Sequence, residues 1–275
     1  MSGGVVAVYG GGGAKAAAHL GAERALREAG LRPAAYVGCS MGAVVAAALA
    51  LGWEPEAIEE RLVDLGRRRI AVVDPLIFIL GVRRPGLLKP DPLRAAFDAL
   101  FLNARFGDMV RPLSIAVTDL DSGELVLFGT GGRDAPLVDV LLATCALPLY
   151  FPPVTLGGKR YVDGGIRSVL PIESALALQP DRIVAVDVGP GFDEAESAHS
   201  SPLPQLIEIN QSTLGILMAQ GTQDRLALWR STAGRPPLTY VRPRVEKNAT
   251  FATDKIREYA EEGYRATREA LERGR

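Results

Sequence analysis

Residues 38–42 combine one serine with two glycines at a spacing that can produce a nucleophile. The segment Gly38-Cys39-Ser40-Met41-Gly42 fits the pattern Gly-x-Ser-x-Gly, with an apolar strand pattern before it and small apolar residues after it. In such a segment a sharp strand-to-helix turn lifts the serine hydroxyl clear of the sheet. The pattern also arises by chance in a chain with 30 glycines, but its flanking elements favour the turn. We therefore predict that Ser40 is a nucleophile and that Gly38 and Gly42 support the turn.

A second glycine-rich segment follows the buried strand predicted at Val5–Tyr9 and opens a helix predicted to end near Gly30. Gly11-Gly12-Gly13-Ala14-Lys15-Ala16 fits the dinucleotide pattern G-x-G-x-x-G/A, but the acid expected about 20 residues later is missing. A P-loop would need Gly-Lys-Ser/Thr. Backbone N–H groups at a helix start can instead form an oxyanion hole. We favour this third use, because the next strand delivers Ser40 to the same edge of the sheet.

A serine nucleophile needs a base, and this chain has only two histidines. His19 lies one turn into the first predicted helix, which favours a structural role. His199 lies in a polar segment that is a poor scaffold for a catalytic base, although it would complete a Ser–Asp–His order. Asp163 directly follows a predicted strand and precedes Gly164 and Gly165. An Asp-Gly-Gly segment is often a plain turn, but here it accompanies a nucleophile turn and a glycine loop, so Asp163 is the predicted base.

Taken together, four segments resemble the patatin-like phospholipase family. They are the glycine loop at residues 11–16, the serine turn at 38–42, the proline-containing segment at 143–153 and the Asp-Gly-Gly at 163–165. Their order and surroundings agree with the family from about Val5 to Val188. One position departs from the family pattern, because Ala16 replaces the final glycine of the loop. Alanine is harmless there if the residue is already helical and strained if it needs a positive φ; we expect the helical case.

The resemblance implies a three-layer α/β/α sandwich around a mostly parallel sheet and a Ser–Asp dyad without histidine. It implies that Ser40 is the nucleophile, that Asp163 is its base, and that no metal or cofactor takes part. The N–H groups of Gly11, Gly12 and Gly13 would stabilise the oxyanion, with Lys15 and the glycines of the two turns in support. Burial should raise the pKa of Asp163 above its ordinary value of about 3.9, which makes it a better base near neutral pH.

Composition and charge bear on the kind of partner, the compartment and the number of domains. The 275-residue chain is 48% hydrophobic and 23% charged, with a formal net charge of -1, so nothing indicates a nucleic-acid partner. Cys39 and Cys145 are expected to be buried free thiols.

No signal-peptide pattern and no apolar run of transmembrane length is recognised, which predicts a cytoplasmic protein. We expect one domain over residues 1–275, with the motifs in residues 5–188 and an extension of helices and a strand over 202–275.

One apolar stretch has two readings. Pro75–Leu88 is strongly apolar at its start, is broken by prolines, and has basic residues on both sides. A buried helix with an irregular exit is one interpretation; the other is a flap that lines an acyl site or touches a membrane surface.

In the segment that follows this stretch, Asp91 is predicted to cap a helix that has Pro92 at its first position.

The sequence thus predicts a serine esterase or lipid acyl hydrolase that cleaves carboxylic esters of (phospho)lipids. The expected partner is a lipid or acyl-ester substrate; the flap interpretation of Pro75–Leu88 would add a transient peripheral contact with a membrane surface, and the buried-helix interpretation would not. Two alternatives remain. The chain could be a non-catalytic or nucleotide-binding module that uses Gly10–Gly13, or an esterase assisted by His199.

Overall fold

The computed structural model describes residues 4–67, 72–74, 86–192, 205–246 and 253–274. Its strands are β1 (Val5–Tyr9), β2 (Ala35–Cys39), β3 (Leu113–Asp119), β4 (Leu125–Gly129), β5 (Val154–Leu156), β6 (Lys159–Asp163), β7 (Arg182–Val186) and β8 (Leu238–Val241). Its α-helices are α1 (Ala18–Glu28), α2 (Met41–Ala50), α3 (Pro55–Arg67), α4 (Pro90–Phe101), α5 (Leu137–Thr144), α6 (Gly165–Ser168), α7 (Gln205–Ser231) and α8 (Ile256–Arg273). Short 3-10 helices cover Gly13–Ala17, Phe106–Asp108, Ile172–Leu178 and Thr253–Lys255.

One mostly parallel sheet organises these elements. Strands β3, β2, β1, β7 and β8 lie side by side and are all parallel. The antiparallel strands β4 and β6 pair with β3, and β5 pairs with β6. Gly157 and Gly158 form the two-residue turn of the β5–β6 hairpin with φ values of 57° and 79°, a left-handed conformation that glycine adopts without strain. The parallel strands all end at one edge of the sheet, where an α/β protein builds its site.

Both faces of the sheet are covered, because apolar residues fill both sides of the parallel strands. In β1, Val6 and Val8 pack with Ile172, Leu226 and neighbouring residues on one side of the sheet. Ala7 and Tyr9 pack on the other side, against the helices that include α1 and α2. A continuous apolar run, whose successive residues point to opposite faces of the sheet and are buried on both, is typical of a parallel strand covered on both sides. The predicted three-layer α/β/α arrangement is therefore confirmed.

The C-terminal helix packs directly on the first helix. A Cβ atom on Gly21 of α1 would lie 1.7 Å from the carbonyl oxygen of Ala260, and one on Gly263 of α8 would lie 1.9 Å from that of Ala18. The two backbones can approach this closely only because both positions lack side chains. Helix α8 therefore shares the core of the motif-bearing part, with Ile256, Tyr259 and Ala266 buried in it.

One local prediction needs correction. Helix α4 begins at Pro90 with Lys89 as its N-cap, so Asp91 lies in the first turn and does not cap the helix. Proline is well accommodated at the first helical position, and that proline is Pro90 rather than Pro92.

The apolar stretch Pro75–Leu88 lies largely outside the described residues, and its role stays a prediction. At its edges Val73 and Leu88 form an antiparallel bridge, and the N–H of Leu88 donates to the carbonyl of Tyr150 over 2.8 Å. Within the described ranges, no helix is both long and apolar enough to cross a bilayer.

Candidate active site

Ser40 lies in a strained turn between β2 and α2. Its φ of 52° and ψ of −135° fall in a sparsely populated region for a residue with a side chain, at a cost of about 1–3 kcal/mol. A Cβ on Gly38 would lie 2.4 Å from Cα of Ala43, and one on Gly42 would lie 2.4 Å from the carbonyl oxygen of Gly10. Only glycine fits at these two positions, as the sequence pattern predicts, and the turn leaves Ser40 partly exposed.

The sheet register brings Asp163 to Ser40. On β3, Ala116 pairs with Cys39 at the end of β2, and the next residue, Val117, pairs with Asp163 at the end of β6. Since β4 occupies the other edge of β3, β2 and β6 share one edge and end facing each other. The Ser40 hydroxyl donates to Oδ2 of Asp163 over 2.8 Å. This is the distance required between a nucleophile and its base.

Asp163 is buried and its carboxylate is held in place. Its other oxygen, Oδ1, accepts hydrogen bonds from the N–H of Gly165 at 2.8 Å and from the thiol of Cys39 at 3.9 Å. Burial raises the pKa of Asp163 to about 6, and the bonds from Gly165, Ser40 and Cys39 counteract part of that rise. The carboxyl is therefore mostly ionised at neutral pH and is a stronger base than an exposed aspartate.

Two threonines that the sequence did not single out secure the dyad. Thr144 accepts a 2.9 Å hydrogen bond from the N–H of Ser40 and donates its hydroxyl to the carbonyl of Ala116 at 2.6 Å. Thr118 donates to the backbone carbonyl of Asp163 at 3.0 Å. Thr144 belongs to the proline-containing segment at 143–153, so that segment could have led to it. Nothing in the sequence distinguishes Thr118 from other strand residues.

The glycine loop lines the site beside Ser40, but its three glycines are not equivalent. The N–H of Gly11 donates to the carbonyl of Val169 over 3.1 Å, so the expectation that it faces an oxyanion needs correction. No hydrogen bond from the N–H of Gly12 or Gly13 occurs within the described part of the chain. A Cβ on Gly12 would lie 2.4 Å from the carbonyl oxygen of Val188, and Gly13 has a φ of 61°. Both positions therefore require glycine.

At Ala16 the helical case that the sequence predicts is confirmed. Ala16 lies in the 3-10 helix Gly13–Ala17 and has no positive φ, so alanine is unstrained there. Lys15 is buried in the same helix, with 4% of its surface exposed. It does not line the cavity in front of Ser40, and its predicted role in supporting the loop stays a prediction.

A largely apolar cavity of about 330 Å³ opens in front of Ser40 and Asp163. The glycine loop forms one side of it. The remaining walls come from distant parts of the chain, including Leu62, Leu65, Leu93, Met218 and Ile256. A chamber of this kind suits a hydrocarbon chain better than a nucleotide, whose phosphates and sugar need polar partners.

Of the two histidines, His19 lies within the described residues and His199 does not. His19 is fully buried and its Nε2–H donates to the carbonyl of Gly10 over 2.8 Å, so the predicted structural role is confirmed. Burial lowers its pKa to about 4. His199 lies outside the described residues, so the His-assisted alternative stays untested. Within the described ranges, no group of three or more His, Cys, Asp or Glu side chains could hold a metal ion.

Cys39 and Cys145 are both buried and free, as predicted. Burial raises the pKa of each thiol, and the nearby Asp163 carboxylate adds to the rise. Neither is therefore a thiolate at neutral pH, so the Ser40 hydroxyl remains the candidate nucleophile of the described site.

Several known proteins are similar to this chain in sequence. An uncharacterised NTE family protein of Mycobacterium tuberculosis (strain ATCC 25618 / H37Rv) is 26% identical over 226 residues, which cover 80% of this chain and 60% of that protein. The uncharacterised protein YqhO of Bacillus subtilis (strain 168) is 30% identical over 189 residues, covering 60% of this chain and 64% of that protein. Patatin-like phospholipase domain-containing protein 6 of Homo sapiens is 25% identical over 189 residues, 67% of this chain but 13% of that protein.

Two solved structures share the fold. VipD from Legionella pneumophila superposes with a TM-score of 0.54 at 17% identity, covering 99% of this chain and 67% of that one. Human GIVD cytosolic phospholipase A2 gives a TM-score of 0.51 at 10% identity, covering 98% and 63%. The patatin-like phospholipase family itself matches residues 7–176, which is more than half of the 275-residue chain. With its serine turn, glycine loop and Asp-Gly-Gly turn gathered at one edge of the sheet, this chain belongs to the patatin-like phospholipase family.

Proposed function

We propose that this chain is a serine hydrolase that cleaves carboxylic ester bonds of lipids with Ser40 as nucleophile and Asp163 as general base. The observation that carries the proposal is the 2.8 Å hydrogen bond from the Ser40 hydroxyl to Asp163 at the base of an apolar cavity. Membership of the patatin-like phospholipase family supports lipid acyl hydrolysis as the reaction class.

In the first half of the reaction, Asp163 accepts the hydroxyl proton while the Ser40 oxygen attacks the ester carbonyl. The carbonyl oxygen becomes an oxyanion, and the N–H groups of Gly12 and Gly13 donate to it. The carbon–oxygen bond to the alcohol then breaks, and protonated Asp163 returns its proton to the departing alkoxide. The acyl group remains as an ester on Ser40, and the alcohol or lysolipid leaves.

In the second half, Asp163 takes a proton from water, and the resulting hydroxide attacks the acyl carbonyl. The same N–H groups hold the second oxyanion. The bond to Ser40 breaks, its oxygen recovers the proton from Asp163, and a fatty acid is released. One carboxylate can serve both halves because the base of the first step becomes the acid of the next.

The positive end of α2 adds to the stabilisation of charge. Ser40 is the N-cap residue of this helix, so the first N–H groups of α2 lie beside the reacting oxygen. A helix N-terminus favours a nearby negative charge by roughly 0.3–1 kcal/mol. Each good oxyanion donor contributes about 3–4 kcal/mol to lowering the barrier, so the glycine loop supplies the larger share.

The cavity walls support a fatty acyl chain as the part of the substrate that binds there. Apart from Asp163 and the glycine loop, most of the residues in its walls are apolar. Burial of each methylene contributes about 0.8 kcal/mol, so binding should strengthen as the acyl chain lengthens until the cavity is full.

The test is hydrolysis of a series of p-nitrophenyl esters from acetate to palmitate by wild type, Ser40→Ala and Asp163→Asn. We expect Ser40→Ala to fall to background and Asp163→Asn to lose at least about 100-fold in kcat. Ser122→Ala and Asp134→Asn are matched controls at exposed positions and should keep wild-type rates. A wild type that is inactive on every ester and is not labelled at Ser40 by a fluorophosphonate would overturn the proposal.

A further inference from the structure

The glycine loop needs an external restraint, because its own residues supply none. Gly10–Gly13 is a run of four glycines, the residue with the greatest backbone freedom. Its first N–H, that of Gly10, donates to the carbonyl of Val186 over 3.0 Å and continues the sheet pairing of β1. Beyond that point the sheet no longer holds the chain. The proposed oxyanion donors, Gly12 and Gly13, lie two and three residues further on.

The Gly10–Gly11 peptide group is held at both of its polar ends. Its carbonyl oxygen accepts the Nε2–H of His19 over 2.8 Å, and its N–H, on Gly11, donates to the carbonyl of Val169 over 3.1 Å. A peptide plane with both ends bonded cannot rotate without losing two buried hydrogen bonds. This plane is the last one fixed before the loop reaches Gly12.

The His19 ring is itself immobilised. It is fully buried and stacks on the ring of Tyr9, with 4.6 Å between centroids and an angle of 14° between planes. The hydroxyl of Tyr9 donates to the buried carboxylate of Glu23 at 2.8 Å, and the hydroxyl of Tyr36 donates to the same carboxylate at 3.0 Å. The ring therefore sits on a layer of bonded side chains that joins α1 to β1 and β2.

Stability alone does not explain a histidine at this position. Its Nδ1 atom is buried and has no hydrogen-bond partner among the described residues. A buried polar atom without a partner is destabilising. Phenylalanine would fill a similar space and stack on Tyr9 without that penalty. What histidine adds is one N–H aimed at the carbonyl of Gly10. Burial lowers its pKa to about 4, so near neutral pH the ring is neutral and its single proton lies on the nitrogen that makes this bond.

We propose that His19 is a positioning residue for catalysis: it holds the Gly10–Gly11 peptide so that the N–H groups of Gly12 and Gly13 stay available to the oxyanion. This inference rests on the proposed function, because it assigns a task within the same reaction. His19 itself touches neither substrate nor dyad. Its effect should therefore appear in the transition state and not in the binding of the ground-state substrate.

The experiment compares wild type, His19→Phe and His19→Gln on the p-nitrophenyl ester that wild type cleaves best. His19→Phe keeps the stack and removes the donor, whereas the amide of glutamine can again donate to Gly10. We expect His19→Phe to lower kcat by about 10- to 100-fold with KM nearly unchanged, since it disturbs the oxyanion donors without deleting them. The affinity for an acyl trifluoromethyl ketone, which forms a tetrahedral adduct on a serine, should fall by the same factor. His19→Gln should recover part of both losses at an unchanged or lower melting temperature.

The outcomes separate this inference from the proposed function. If wild type and Ser40→Ala are equally inactive, the proposed function fails first. If wild type is active and His19→Phe keeps its kcat and its affinity for the trifluoromethyl ketone, the positioning role is overturned. If His19→Phe does not fold, His19→Gln and His19→Asn decide, because asparagine is one methylene shorter and should not reach Gly10. Equal activity of those two, or failure of all three variants to fold, would assign His19 to stability alone.

Discussion

As the proposed base, Asp163 has to satisfy two opposing demands, since a base must be ionised to work but a catalytic site excludes the water that favours ionisation. The structure meets both by burying the carboxylate while giving each of its oxygens a donor, Ser40 on one side and Gly165 on the other. The result is a carboxyl whose pKa is raised to about 6, mainly by burial. Asp163 is thus ionised at neutral pH but ready to take a proton.

The pH dependence of hydrolysis follows from that value. Asp163 must be unprotonated to accept the Ser40 proton, so kcat/KM should be level above pH 7 and fall as pH drops through about 6, tending to tenfold per pH unit below it. The rate is best measured by quantifying the released fatty acid by chromatography after the reaction is stopped, because the signals of p-nitrophenol and of acid titration both change with pH in this range. A profile that stays level down to pH 4.5, with circular dichroism showing an intact fold, would rule out Asp163 as the base.

At the scale of elements, Thr144 joins three parts of the site. Its hydroxyl connects the N–H of Ser40 at the turn after β2 with the carbonyl of Ala116 in β3, while its backbone ends α5. Ser40 is in a strained conformation, so the turn persists only if its surroundings hold it. Thr144 supplies one of the few bonds that do so.

Thr144→Val tests this link, because valine has nearly the same shape but no hydroxyl. The N–H of Ser40 would lose its partner, and we expect a loss of about 1–3 kcal/mol in the free energy of unfolding. A lower kcat should accompany it, because the Ser40 hydroxyl is aimed by this backbone. Thr144→Ser retains the hydroxyl and should behave almost as wild type. Equal urea midpoints and equal kcat for the valine and serine variants would show that the bond does not matter.

The contact between α1 and α8 depends on glycine at the crossing. Gly21→Ala would place a Cβ 1.7 Å from a carbonyl oxygen of α8, so the helices must separate. We expect a loss of about 3 kcal/mol or more, measured as a lower urea midpoint. Gly221→Ala is the matched control, because a Cβ there meets nothing within 4 Å and alanine should stabilise α7 by up to about 1 kcal/mol. A midpoint for Gly21→Ala at or above that of wild type would contradict the close packing.

What the sequence could predict was largely local. The serine turn, the glycine loop and the Asp-Gly-Gly turn each depend on a few adjacent residues, and glycine spacing reveals them directly. Contacts between distant residues could not be predicted in this way. The hydrogen bond from the N–H of Ser40 to Thr144 spans 104 positions, and the N–H of Gly11 donates to the carbonyl of Val169, which is also far along the chain. Such pairings depend on which strands and helices become neighbours. The start of α4 at Pro90 was missed for a smaller reason, since Asp91 and Pro92 imitate a cap and a first turn.

At the scale of the whole molecule, the site extends beyond the part of the chain that matches the family. The match ends at residue 176, and it contains both members of the proposed dyad and the glycine loop. Met218 of α7 and Ile256 of α8 nevertheless line the cavity. The proposed chemistry therefore belongs to the shared core, whereas part of the acyl-binding wall comes from the C-terminal region. We expect substitutions in that region to change which ester is preferred more than whether esters are cleaved.

Met218 and its neighbour Leu217 allow that expectation to be tested at adjacent positions. Met218 lines the cavity in front of Ser40, whereas Leu217 lies outside it with 64% of its surface exposed. Met218→Trp should fill space that a long acyl chain needs and lower kcat/KM for p-nitrophenyl dodecanoate by about tenfold or more. Hydrolysis of the acetate, which does not reach this wall, should stay within about twofold, because the dyad and the glycine loop are untouched. Leu217→Trp adds the same bulk outside the cavity and should leave the ratio of the two rates as in wild type. If both variants lowered the two esters equally, α7 would contribute to stability and not to acyl-chain selection.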